Sequence, residues 1–252
     1  MRIFRVLIDP GHAPGNANRG STTYREYAGM WKLSNFLKDI LTSFGIHAEL
    51  TRTVNQDPSL AARGGMARGF DLFISQHSNA FNGQVRGSEC FFSVLQPENR
   101  VIAARFSENT ALLMNHPDRG AKTRMGNNNQ DFFGVIRAAV AAGCPRVFLM
   151  ESGFHDNPID EAFLLQDLNL MRIADVQADI ILDVFGVGNA THKQPTQPSV
   201  QLPVGHIPSV WAREAWAWAF ANGITDGTNP QEQPTREQMM QLLFNYHQFK
   251  QN

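Results

Sequence analysis

The chain has 252 residues, enough for one α/β domain and a small appendage. Its 22 Lys and Arg stand against 23 Asp and Glu, for a formal net charge of −1, and the cations are scattered. That balance excludes a nucleic-acid groove and a polybasic membrane anchor, and no apolar run approaches the ~20 residues of a spanning helix.

Residues 1–5 lead straight into a strand, without the charged, apolar and small-residue pattern of a signal peptide. The expectation is a protein made in the cytoplasm, which needs release if its target lies outside. A strand over 5–9 runs into Pro10-Gly11-His12, and a Gly- and Asn-rich loop follows over 14–23. Met30, Leu33, Leu37, Ile40 and Leu41 recur at helical spacing, so a helix is predicted over 26–44, ended by Gly45. A second strand is predicted over 47–51. Ser59 reads as the N-cap of a helix toward Arg68, weakened by Gly64-Gly65. A third strand over 71–76 runs into His77. Then come a strand over 89–95, a helix over 99–114, an exposed loop over 115–131, and a strand followed by a helix over 134–142. A strand over 146–150 runs into Glu151, and one last helix extends from 160 to 185. This alternation predicts an α/β fold with a mostly parallel sheet flanked by helices on both faces. The cysteines, Cys90 and Cys144, sit beside apolar residues and lack paired zinc spacing, so both are expected reduced and buried.

Composition changes after the last helix. Residues 188–205, with Pro195, Pro198 and Pro203, have no apolar period and read as a flexible linker. Residues 206–252 read as a small C-terminal helical module. One helix, over 210–222, carries Trp211, Trp216 and Phe220. A second opens at the capping box Thr235-Arg236-Glu237-Gln238 and carries Met239, Met240, Leu243 and Phe244. So small a unit buries little core alone.

Three apolar runs end in residues suited to metal chemistry: His12, His77 and Glu151. In open α/β sheets, ligands gather at the carboxyl ends of strands. Two His and one Glu form a known zinc set that leaves a position for water, and a further carboxylate can carry the proton. His12, Glu26 and His77 fit the ligand roles and Glu151 the acid/base role. Each residue alone has a plainer reading. His12 would be a turn histidine, Glu26 a helix N-terminal carboxylate, His77 a half-buried strand histidine, and Glu151 a partner for an arginine. Asp9 and Asn79 read as groups that orient ligands. His116 and His155 read as solvated loop histidines.

Asp9-Pro10-Gly11-His12, Glu26, the stretch from Phe73 through His77 to Ala80, and Glu151-Ser152-Gly153-Phe154 with Asn157 and Asp160 together resemble the zinc-dependent N-acetylmuramoyl-L-alanine amidases of the DPGH type. Leu50-Thr51-Arg52, Ser59-Leu60 and Arg63 add to the likeness, which covers roughly residues 1–185. It implies an amidase catalytic domain over 1–187, one bound Zn2+, and cleavage of the amide between muramic acid and L-alanine of peptidoglycan. Gln76 departs from the pattern, standing where the family usually has an apolar residue. The tail resembles a single S-layer homology module through Trp211-Ala212-Arg213, Asn222-Gly223-Ile224-Thr225-Asp226-Gly227 and Pro234-Thr235-Arg236. That likeness implies a cell-wall polymer partner for residues 206–252. The combined expectation is a lytic enzyme of the Gram-positive wall, a phage or prophage endolysin or an autolysin freed by mother-cell lysis. It has no nucleic-acid or membrane partner, and its oligomeric state is left open. The competing readings are a catalytically silent wall-binding protein and a zinc peptidase acting on peptides.

Overall fold

Short runs, apolar in β1, β3 and β6, pair into one six-stranded sheet. The computed structural model describes residues 2–187, with Ala219 beyond them. The linker and the tail helices read from the sequence lie outside the described residues. The chain divides into two units, Met1–Gly188 and Asn189–Asn252. The first runs β1 (Arg5–Pro10), α1 (Glu26–Ser43), β2 (His47–Leu50), α2 (Leu60–Gly65), β3 (Leu72–Asn79) and β4 (Ser88–Phe92). Then come α3 (Arg100–Met114), β5 (Asp118–Lys122), α4 (Gly134–Ala141), β6 (Val147–Phe154), α5 (Pro158–Leu164) and α6 (Asp167–Phe185). Strand order is β2-β1-β3-β6-β4-β5. Pairing is parallel except between β4 and β6. The expected mostly parallel sheet with helices on both faces is what the chain forms.

Side chains alternate across each strand. Val6, Ile8, Leu72, Ile74, Phe148 and Met150 join the core cluster that includes residues of α1, α3 and α6. Leu7, Phe73, Val147, Leu149 and Phe91 join a second cluster with residues of α4. Burying each such side chain contributes about 1.5–3 kcal/mol. Asp9, Ser75, His77, Glu151 and Glu89 continue the second face by the same alternation.

Several sequence expectations are corrected. The loop over 115–131 contains β5, which pairs with the edge strand β4. Its sequence, Asp-Arg-Gly-Ala-Lys, carries no apolar period, so the pairing is imposed by the neighbouring strand rather than by propensity. Residues 134–142 contain no strand: Val135, Ile136 and Ala139 bury one face of a helix. The helix expected over 160–185 is two helices. Asn157 caps the first by accepting from Ile159 N, with Pro158 behind it, and the chain turns at extended Gln166 before Asp167 opens the second. Helix α2 stops early, at Gly65. Its Gly64 packs so closely on α4 that a Cβ would stand 2.5 Å from the Val135 carbonyl and 2.6 Å from the Ala138 methyl. His77 and Glu151 lie inside β3 and β6 rather than just past them. Both cysteines are free and buried, as expected.

Candidate active site

β1 delivers Asp9-Pro10-Gly11-His12 to the sheet edge. Gly11 N donates to the Gln76 carbonyl at 2.9 Å, and a Cβ at Gly11 would lie 2.7 Å from the His77 ring. Only glycine allows that approach. His12 then takes a left-handed φ of 58°, uncommon outside glycine, which turns its ring back over the edge. Glu26, the first residue of α1, is 1% exposed. Its Oε2 lies 3.1 Å from His12 Nε2 and its Oε1 lies 3.1 Å from His77 Nδ1. The two imidazoles stand 4.9 Å apart, edge to face. One ligand atom from each of His12, Glu26 and His77 falls within 4.8 Å of the others.

The surrounding hydrogen bonds decide what this cluster can hold. Ser75 Oγ donates to Asp9 Oδ2 at 2.6 Å, so its remaining contact, 3.1 Å to His77 Nε2, makes that nitrogen the donor. Nδ1 is then a lone pair facing a carboxylate oxygen. Two acceptors facing each other at 3.1 Å need a proton or a cation between them. Two zinc ligands at tetrahedral positions stand ~3.4 Å apart, so spacing and donor chemistry both fit the metal. Asp9 is fixed in turn by Thr51 Oγ1 at 2.5 Å and by Arg63 through Nε and Nη2, each at 2.7 Å. Burial alone would raise the Glu26 carboxyl, but the His12 and His77 imidazoles beside it outweigh that and hold the group well below the carboxylate range.

Sequence reasoning named these three residues and Asp9 behind them, and missed the loop that supports them. Asn18 Nδ2 donates to Glu26 Oε2 at 2.8 Å and lies 3.1 Å from His12 Nε2. Glu161 clasps the loop that carries Asn18, accepting from Ser21 N and Oγ and from Thr22 N and Oγ1 at 2.5–3.1 Å. Loop residues have no period to betray them. Ser75 shared a face with His77, which strand alternation alone could have signalled.

Glu151 is the register partner of His77 on one side and of Glu89 on the other. Its Oε2 is buried with no hydrogen-bond partner among the described residues, and no arginine among them pairs with it as the plainer sequence reading would have it. Burial, then the charges of Glu26 and Glu89, push its carboxyl well above the ordinary value. Glu89, also missed, accepts from Asn79 Nδ2 at 3.0 Å, Arg119 Nε at 2.7 Å and Lys122 Nζ at 2.5 Å. His116 and His155 are not solvated. The His116 ring is buried between Ser88 Oγ at 2.7 Å and Asp160 Oδ1 at 3.1 Å, and His155 Nδ1 meets Ser78 Oγ at 3.0 Å. Gln76, the departure noted in the sequence, pairs with Gln177 inside the core.

Residues 6–183 match a family model described as N-acetylmuramoyl-L-alanine amidase. No curated protein matches the chain at a comparable level. Among solved structures, Cwp6 from Clostridium difficile is 24% identical with a TM-score of 0.65, over 72% of this chain but only 29% of that one. The catalytic domain of CwlV, an N-acetylmuramoyl-L-alanine amidase from Bacillus (Paenibacillus) polymyxa var. colistinus, is 24% identical at 0.63, over 74% of this chain and 100% of that one. An N-acetylmuramoyl-L-alanine amidase from Clostridium difficile 630 is 21% identical at 0.64, over 73% and 97%. At such identities the likeness is one of fold.

Proposed function

The chain belongs to the N-acetylmuramoyl-L-alanine amidase family, and from that membership we propose that it hydrolyses the muramoyl–L-alanine amide of peptidoglycan with one zinc ion held by His12, Glu26 and His77. The observation that carries the reading is His77 Nδ1 set 3.1 Å from a Glu26 oxygen, with His12 completing the donor set. When bound, the ion supplies Lewis acidity and acidifies a water. The protein's own groups do the rest. Glu151, with one oxygen unpartnered beside the donor set, takes the proton of the attacking water and returns it to the departing L-alanine nitrogen. The Asp9–Ser75–His77 chain keeps the imidazole in the ligating tautomer. Asn18 steers Glu26 and His12. Residues 206–252 serve as the wall-binding module of a lytic enzyme acting on the Gram-positive wall.

Digestion of purified walls, followed by mass spectrometry of the new ends, tests this directly. New amino-terminal L-alanine that vanishes with a chelator and returns with zinc is the expected result. Other new amino termini would make the protein a peptidase, and wall binding without new ends would make it a silent binder.

A further inference from the structure

The order of groups along the sheet edge dictates which way round a substrate lies. From one side to the other come His12 after β1, His77 in β3, Glu151 in β6, Glu89 in β4, and Arg119 and Lys122 in β5. Under the amidase reading, on which this rests, Glu151 protonates the departing amine, so the peptide leaves over the Glu151 side. The muramoyl sugar then lies over the His12 side. There a polar cleft of about 590 Å3 opens, lined by His12, Asn16 and Asp57 among others.

On the peptide side, two cations share one carboxylate oxygen. Arg119 Nε and Lys122 Nζ both meet Glu89 Oε2, at 2.7 and 2.5 Å, which leaves the trio a net positive charge. Both cations are about one-third exposed, at 35% and 34%, whereas Glu89 is 6% exposed. Arg119 reaches Glu89 through Nε, with its guanidinium 5.1 Å from the Phe154 ring centroid. That leaves the other edge of the fork for a second acceptor. Glu89 is saturated by Asn79 and the two cations and acts as their anchor.

We propose that Arg119 and Lys122 form a carboxylate-binding subsite for the stem peptide and make a free carboxylate on its second residue a determinant of specificity. The reach agrees. Neighbouring strands are ~4.8 Å apart, so the cations lie roughly 5–10 Å beyond Glu151. An extended peptide advances ~3.3–3.6 Å per residue, which brings the second residue's carboxylate to them.

The experiment compares soluble disaccharide peptides whose second residue carries either a free or an amidated α-carboxylate, using the zinc-loaded full chain. Wild type should favour the free acid in kcat/KM by roughly tenfold or more, the yield of a charge-assisted contact. In the double variant Arg119→Gln/Lys122→Gln the acid-to-amide ratio should fall toward one, while Lys122→Arg keeps it. The ratio is insensitive to how much protein is folded. A wild-type ratio near one, or an unchanged ratio in the double variant, overturns the subsite. If wild type frees no L-alanine from either compound, the amidase reading itself fails. Calorimetric binding of L-alanyl-D-glutamate against its amide then still reads the subsite: a preference for the acid that the double variant loses upholds it, and equal binding refutes it.

Discussion

The imidazole of His77 is pinned at both ring nitrogens, by Ser75 on one side and Glu26 on the other. Removing the Ser75 hydroxyl would free Nε2–H and let the ring choose the wrong tautomer. Ser75→Ala should therefore weaken zinc by roughly 10–100-fold, read by competition against a chromophoric chelator; unchanged affinity would mean that another group sets the tautomer. Glu151→Gln should behave in the opposite way. It leaves the donor set whole, so metal content holds while turnover falls by about 10^2–10^4-fold. Full activity in that variant would remove Glu151 from the chemistry. The sequence exposed His12, His77 and Glu151 because each stands at the end of an apolar run, where a polar residue has no packing reason to be. Glu89, although it too lies in a strand, gave no such sign. It opens β4 instead of closing it, and only the antiparallel pairing with β6 brings it to the same edge.

Short elements carry much of the site's support, and they are where sequence reasoning stopped. Helix α5 has seven residues, yet its first turn holds two buried acids that reach in different directions. Asp160 accepts from Arg86 Nε at 2.7 Å and Phe154 N at 3.1 Å and lies beside His116, while Glu161 clasps the loop before α1. Burial by itself would raise both carboxyls, but these hydrogen bonds outweigh it and hold both below their ordinary values. Groups depressed in the folded state contribute stability that is present above the unfolded value of about 4 and lost as pH falls through the folded value. The contribution of these two groups to denaturant midpoints should thus be level near neutrality and drop on the acid side, superposed on the opposite slope of the raised Glu151. Glu161→Gln should lower the neutral plateau and make the acid drop shallower; an identical acid slope would show that Glu161 is not a linked group. Helix α1 was readable because 18 residues repeat an apolar stripe. Strand β5 was not readable, and α4 was read only in its later part, since five polar-rich residues and eight Ala- and Val-rich residues take their form from what they pack on.

At the scale of the whole domain, the two faces of the sheet are covered unequally. Helices of 18, 15 and 19 residues lie on one side, and helices of 6 and 8 residues on the other. Residues of α4 pack on Leu7, Phe73, Val147 and Leu149, and Arg63 of α2 caps Asp9, so of the groups that follow on this face Asp9 and Ser75 stay buried while His77 and Glu151 keep partial exposure. Among the described residues, the two core clusters and the side chains packed on them run from Phe4 to Val187. A chain cut after Val187 should then fold in one cooperative transition and cleave soluble muropeptide within about twofold of the full chain, since domains with their own core fold alone. Because a ligand that binds only the native state adds RT ln(1 + [L]/Kd), zinc at a hundred times its Kd should stabilise this shortened chain by about 2.7 kcal/mol. Chelation should remove that gain, and His12→Ala should abolish it, read against the variant's own metal-free melting point because His12 is also a partner of the buried Glu26. A truncated chain that unfolds without its tail would mean the core extends past Val187, and a zinc shift that survives His12→Ala would put the metal elsewhere.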